Sequence, residues 1–153
     1  MNVNTQAPIR HPDSLVEEAD TRHHVKQAYE LLHWGFVVAP AIAGADKFFH
    51  LLTNWDKYLA APIENVLPIS TRSFMGIVGI VELSAALLVL LKPKIGAYVV
   101  AAWLAGIIVN LVLVGGYLDV ALRDFGLFLG ALALGRLSHE LDHGIAGMKV
   151  KKA

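Results

Sequence analysis

Glu82 is the residue in this chain best placed to do chemistry, because it interrupts an apolar run, 74–91, that is long enough to cross a bilayer. A carboxylate at that depth is costly unless something answers it. Three further apolar runs carry a small polar set: Asp46, Lys47 and His50 at the end of the first, Asn110 in the third, Arg123 and Asp124 at the start of the fourth. Asp46 and His50 lie four residues apart and would share a helix face, with Lys47 turned by about 100° from Asp46. If the set converges, a carboxylate, an amide and an imidazole can hydrogen-bond a quinone-like head group or relay a proton. The other reading of the same residues is a buried network of ion pairs and hydrogen bonds that locks short helices together.

Two other patterns carry chemistry on paper. His139-Glu140-Leu141-Asp142-His143 matches H-E-x-x-H, the zinc motif of a metalloprotease. It hangs at the end of the last apolar run, Gly144 follows at once, and no third ligand is evident, so His139 and His143 are weak metal candidates at a solvated helix end. A bis-histidine haem would use His33 and His50 at two levels, each needing a partner histidine that only His139 or His143 could supply. His33 reads more simply as packing beside Trp34.

Positioning these residues requires helices across about 30 Å of hydrocarbon, roughly 20 residues each. The spans expected are 28–52, 73–92, 95–118 and 120–138. The second and third are secure by composition; the first and fourth are short in their purely apolar parts and need neighbours. Small residues that permit close approach are present at Gly76 and Gly79, Ala101 and Ala105, and Gly126 and Gly130. Pro40 removes one donor from the first helical ladder and is expected to bend it. The Lys92-Pro93-Lys94 and Gly115-Gly116 segments read as tight turns, and 53–72, rich in Trp, Tyr and charge, as a re-entrant or surface-lying loop.

Composition agrees with this arrangement. The 153 residues are 56% hydrophobic with a mean hydropathy of +0.54, outside the ordinary soluble range. Thirteen basic residues balance thirteen acidic ones, which gives no reason to expect nucleic acid as a partner. The absence of cysteine excludes thiol redox chemistry, disulfides, iron–sulfur ligation and thiolate zinc. Residues 1–27 are expected to be a polar cytoplasmic tail without the apolar core of a signal peptide, and 139–153 a short basic tail. Lys and Arg placement favours both termini inside: Arg10, Arg22, Lys26, Lys92, Lys94, Arg136, Lys149, Lys151 and Lys152 against Lys47, Lys57, Arg72 and Arg123. The expected fold class is therefore all-α, an integral membrane four-helix bundle with N-in/C-in topology.

Four pieces of sequence, in this order and spacing, resemble the DoxX-like membrane proteins over 28–138. They are Gly44-Ala45-Asp46-Lys47-Phe48, Gly79-Ile80-Val81-Glu82, Lys92-Pro93-Lys94-Ile95-Gly96 and Ala121-Leu122-Arg123-Asp124-Phe125-Gly126. The resemblance implies a multi-pass protein of the bacterial inner membrane, often linked to quinone-coupled redox systems. The name-giving members are the small membrane subunit of a thiosulfate:quinone oxidoreductase. Gly44, Lys47 and Glu82 are the positions carried over. The expected function is thus an accessory or anchor subunit of a quinone-linked membrane complex, without catalysis of its own and with quinone as the cofactor it would meet. Its partners would be membrane lipid and other membrane subunits or further copies of itself. Alternatives are a purely structural subunit of a respiratory or photosynthetic assembly and, from another class, a small oligomeric transporter.

Overall fold

The structure, a computed structural model, describes the backbone of residues 12–150 and the side chains of 16, 17 and 19–141. Among the described residues there is no strand. Helix α1 spans Pro12–Phe49, a 3-10 turn Trp55–Tyr58, α2 the single turn Ala61–Glu64, α3 Thr71–Leu91, α4 Pro93–Val114 and α5 Leu118–Val150.

Local chemistry sets the boundaries. At the end of α1, His50 takes a left-handed conformation (φ 56°), uncommon for a residue with a side chain, while its N–H donates to the Asp46 carbonyl at 2.6 Å. The Ser70 hydroxyl caps α3 by accepting from the Ser73 N–H at 3.2 Å. Lys92 alone separates α3 from α4, and Pro93, which has no N–H to leave unsatisfied, occupies the first turn of α4. Helix α4 ends at Gly115, whose φ of 75° is the left-handed cap glycine adopts without steric cost.

Helix α1 packs on α3 and α4 on α5, while α3 adjoins α4 and α1 adjoins α5, so the four long helices close into a ring. Its core is Phe36, Ala85, Val89, Ala97, Val100, Ala101, Leu104, Ala131 and Leu134. The alanines allow close packing, and at the α3–α4 turn a Cβ on Gly96 would lie 2.6 Å from the backbone of Val89. Helices α3 and α4 are long and apolar enough to cross a membrane. Only 33% and 28% of their apolar windows is buried inside the protein, unlike the central helix of a soluble core. Their outward faces carry Ile77, Ile80, Leu87, Val99, Val109 and Val112, and comparable rows face outward on α1 (Trp34, Val38, Ile42) and α5 (Leu122, Phe125, Leu129).

The elements differ from the expected spans mainly in length. Residues 12–27, expected as a tail, continue α1; exposed i,i+4 pairs along them, His24 with Asp20 at 3.5 Å and Gln27 with His23 at 3.1 Å, suit a solvated helix. Helix α5 likewise runs on past residue 138. The first span stops at Phe49 instead of residue 52, which puts His50 outside the helix. Of the small pairs, Gly79 and Gly130 lie at close contacts, whereas Gly126 faces open space. The 53–72 connection folds over the end of the ring, with the Tyr58 ring edge-on to Tyr117 at 4.7 Å.

Candidate functional site: a buried polar network between helices

The site is organised by a crossing of α1 and α3 at two glycines. A Cβ on Gly44 would lie 2.7 Å from the Gly79 carbonyl oxygen, and one on Gly79 would lie 2.7 Å from that of Gly44. The helices are antiparallel, so the residue three places after each glycine falls opposite the glycine of the other helix. Glu82 Cβ sits 3.0 Å from the position a Gly44 Cβ would take, and Lys47 Cβ 3.2 Å from that of Gly79. The two motifs Gly-x-x-Lys and Gly-x-x-Glu are therefore reciprocal. Each glycine makes the space that the other helix's charged side chain fills.

Lys47 and Glu82 meet across this crossing with Nζ 2.5 Å from Oε2, their side chains 4% and 10% exposed. That is a desolvated, charge-assisted contact. The other face of the Lys47 ammonium is covered by the Trp55 ring, 3.9 Å to its centroid, a cation–π contact. Trp55 is held in turn by its indole N–H, which donates to Asp46 Oδ2 at 2.8 Å. The Asp46 carboxylate also accepts from the Leu51 N–H at 2.8 Å and the Leu52 N–H at 3.1 Å. Asp46 thus fixes the end of α1 and closes an indole lid over the neighbouring ion pair.

On the opposite side of Glu82, α4 contributes Trp103. Its indole Nε1 is buried and lies beside the Glu82 carboxylate, near enough to interact but outside hydrogen-bonding geometry. Asp124 of α5, buried, adds a like charge within electrostatic reach of Glu82. The site thus holds three buried carboxylates, Asp46, Glu82 and Asp124, of which Glu82 alone pairs with the buried Lys47.

Of the expected set, the structure brings together Asp46, Lys47, Glu82 and Asp124. Arg123 points away: its side chain is 68% exposed and touches Asp124 only through Nε at 3.4 Å. Asn110 is used by the loop, its Oδ1 accepting from the Ala60 N–H at 3.0 Å and its Nδ2 donating to the Tyr58 carbonyl at 2.6 Å. His50 leaves the helix face it was expected to share with Asp46, and its Nε2 is buried without a hydrogen bond. His33 is buried beside Tyr29, Nδ1 to hydroxyl 3.5 Å, and edge-on to Trp34. His139 is exposed, and the side chain of His143 lies outside the described residues. No group of three or more potential metal ligands forms among the described residues.

Trp55 and Trp103 were missed as site residues. Trp55 reads as one of the aromatic residues of the 53–72 loop. For Trp103 a signal exists: it precedes Asn110 by seven residues, two helical turns on one face of an otherwise apolar helix. No family model, curated protein or solved structure matches the chain.

Proposed function

We propose that the protein is an integral membrane four-helix bundle of the DoxX-like type, placed in a bacterial inner membrane with both termini cytoplasmic. In this reading it serves as an accessory or anchor subunit of a quinone-linked redox complex. The observation that carries the reading is the use made of the polar residues: Lys47, Glu82, Asp46 and Trp55 engage one another across α1, α3 and the connecting loop. Such a network supports a scaffold, since charges engaged with one another hold helices at a fixed register in lipid. The outward apolar rows on all four long helices support the membrane setting, because lipid takes the place of a core on that side. Purification from the protein's own membranes in mild detergent tests it. A redox polypeptide in fixed ratio, with lipid-soluble quinone, is expected; recovery of this chain alone, or with partners lacking redox chemistry, refutes the role.

One observation favours direct contact with quinone over anchoring alone. Trp103 Nε1 is a buried donor whose neighbouring acceptor, the Glu82 carboxylate, lies outside hydrogen-bonding geometry, and a quinone carbonyl is an acceptor that could complete it. Trp103→Phe then raises the KM for quinone of the assembled complex while leaving assembly intact. An unchanged KM removes Trp103 from any quinone site.

A further inference from the structure

The end of the ring opposite the polar network carries a groove of about 520 Å³ between α4 and α5, lined by Tyr98, Leu132, Ala133, Arg136 and His139. Gly135 shapes it: a Cβ there would lie 2.9 Å from the Tyr98 ring, so the ring lies flush against α5 only because the side chain is missing. Arg136 is exposed and makes no ion pair among the described residues. Glu140, one turn further along α5, does not pair with it. Lys94, one turn before Tyr98 on the same face of α4, and Lys92 in the turn add positive charge at this end.

The groove has a direction. Arg136 lies eighteen residues beyond Leu118, a rise of about 27 Å along α5, close to the thickness of a bilayer's hydrocarbon. Leu132 and Ala133 precede it by about one turn, so the apolar wall faces the membrane interior and the cations face the head-group layer. A ligand that fits must be apolar at one end and anionic at the other. We propose that the groove binds an anionic phospholipid, Arg136 donating to the phosphate and an acyl chain lying along Leu132, Ala133 and the Tyr98 ring. This rests on the membrane reading above; it assigns the leaflet-facing surface of α4 and α5 a specific lipid where that reading requires only solvent-like lipid.

The probe is phosphatidylglycerol, compared with phosphatidylcholine of the same chains and with inorganic phosphate, added to the full chain in detergent. Bound lipid is counted by native mass spectrometry and thermal unfolding is followed in parallel. Phosphatidylglycerol is expected to stay bound and raise Tm, and phosphatidylcholine and phosphate to do neither. Arg136→Gln should weaken phosphatidylglycerol binding about five- to tenfold, the share of one cation at a membrane surface. Lys26→Gln, at a second groove on α1 lined by His23, Lys26 and Trp34, should leave it unchanged. Equal retention of both lipids, or full retention by Arg136→Gln with its helical content intact, overturns the proposal, as does a Tm rise with inorganic phosphate alone, which makes the site one for a free anion. If Arg136→Gln loses helical content, Arg136→Lys decides: binding kept near the parent level supports the charge role, and binding lost with the fold intact refutes it. Release of the protein from native membranes by alkaline carbonate, by contrast, would sink the membrane reading itself, independently of which lipid binds.

Discussion

Replacing Glu82 with Gln leaves the Lys47 ammonium 4% exposed, with an amide where its counter-ion stood 2.5 Å away. The size of the effect separates two accounts of the network. Were the contact one more interhelical hydrogen bond, its loss would cost about 0.6 kcal/mol, with an upper range of ~1.7 kcal/mol for such bonds in membrane proteins. An uncompensated buried charge costs more, about 3–5 kcal/mol when one partner of a buried pair is removed. The Trp55 face, a desolvated cation–π contact of about 2 kcal/mol, is present in parent and variant alike and so offsets none of this loss. Glu82→Gln and Lys47→Met should each lie in the higher range. The double variant Lys47→Met/Glu82→Leu should recover most of the loss, since apolar side chains of similar size in the same space are often neutral or stabilising. Reversible unfolding in mixed micelles with increasing denaturing detergent measures the parent, Lys47→Met, Glu82→Leu and the double variant, the four corners of the cycle, with Glu82→Gln alongside. Losses below about 1 kcal/mol for both single variants, or a double variant whose loss equals the sum of the two, would refute the argument that the charges depend on each other.

Three more outcomes follow from the geometry. Gly44→Ala and Gly79→Ala push a Cβ to 2.7 Å from a facing carbonyl oxygen and should each cost about 1–3 kcal/mol by forcing α1 from α3, whereas Gly126→Ala, with nothing within 4 Å, should be neutral or stabilising by up to about 1 kcal/mol; equal melting shifts at all three would contradict the crossing. Asn110→Ala orphans the Ala60 N–H, in a residue 0% exposed, and should speed hydrogen exchange across 55–60 while α3 and α4 stay protected; an unaltered pattern would show that the loop is held otherwise. In a chain whose only tryptophan is Trp55, Asp46→Ala should red-shift the emission as the indole loses its 2.8 Å acceptor, and unchanged emission would mean that Asp46 does not hold the lid.

The helices and half the site were legible because both follow from composition along one chain. Long apolar runs bounded by Ser70, Pro93 and Gly115 carry their own stop and start signals, and a glutamate inside such a run demands a cation that Lys47 could supply. What was not legible depends on rotation and on chain outside the runs. Arg123 and Asp124 are adjacent, so one must face out when the other faces in, and the sequence does not say which; Arg123 faces out. Asn110 looked like a mid-membrane amide, but the loop after α1 folds down to take both of its hydrogen-bonding groups. The role of Gly44 and Gly79 depends on two helices 35 residues apart meeting in one register, which no local pattern records. The helical continuation through 12–27 was hidden by its polarity, as a helix with charge all round shows no apolar face.

Helices α1 and α5 are less apolar than α3 and α4 and cross the membrane only if the polar network and close packing carry them. With no native cysteine, single cysteines at Arg22, Asn65, Lys92, Gly116 and Glu140, all exposed, can be labelled in intact cells by a thiol reagent that does not cross the inner membrane. Labelling of Asn65 and Gly116 in intact cells, with Arg22, Lys92 and Glu140 labelled only after permeabilisation, is the predicted result. Labelling of Arg22 or Glu140 from the same side as Asn65 and Gly116 would mean that α1 or α5 does not cross, and would contradict the four-helix membrane bundle on which the functional reading stands.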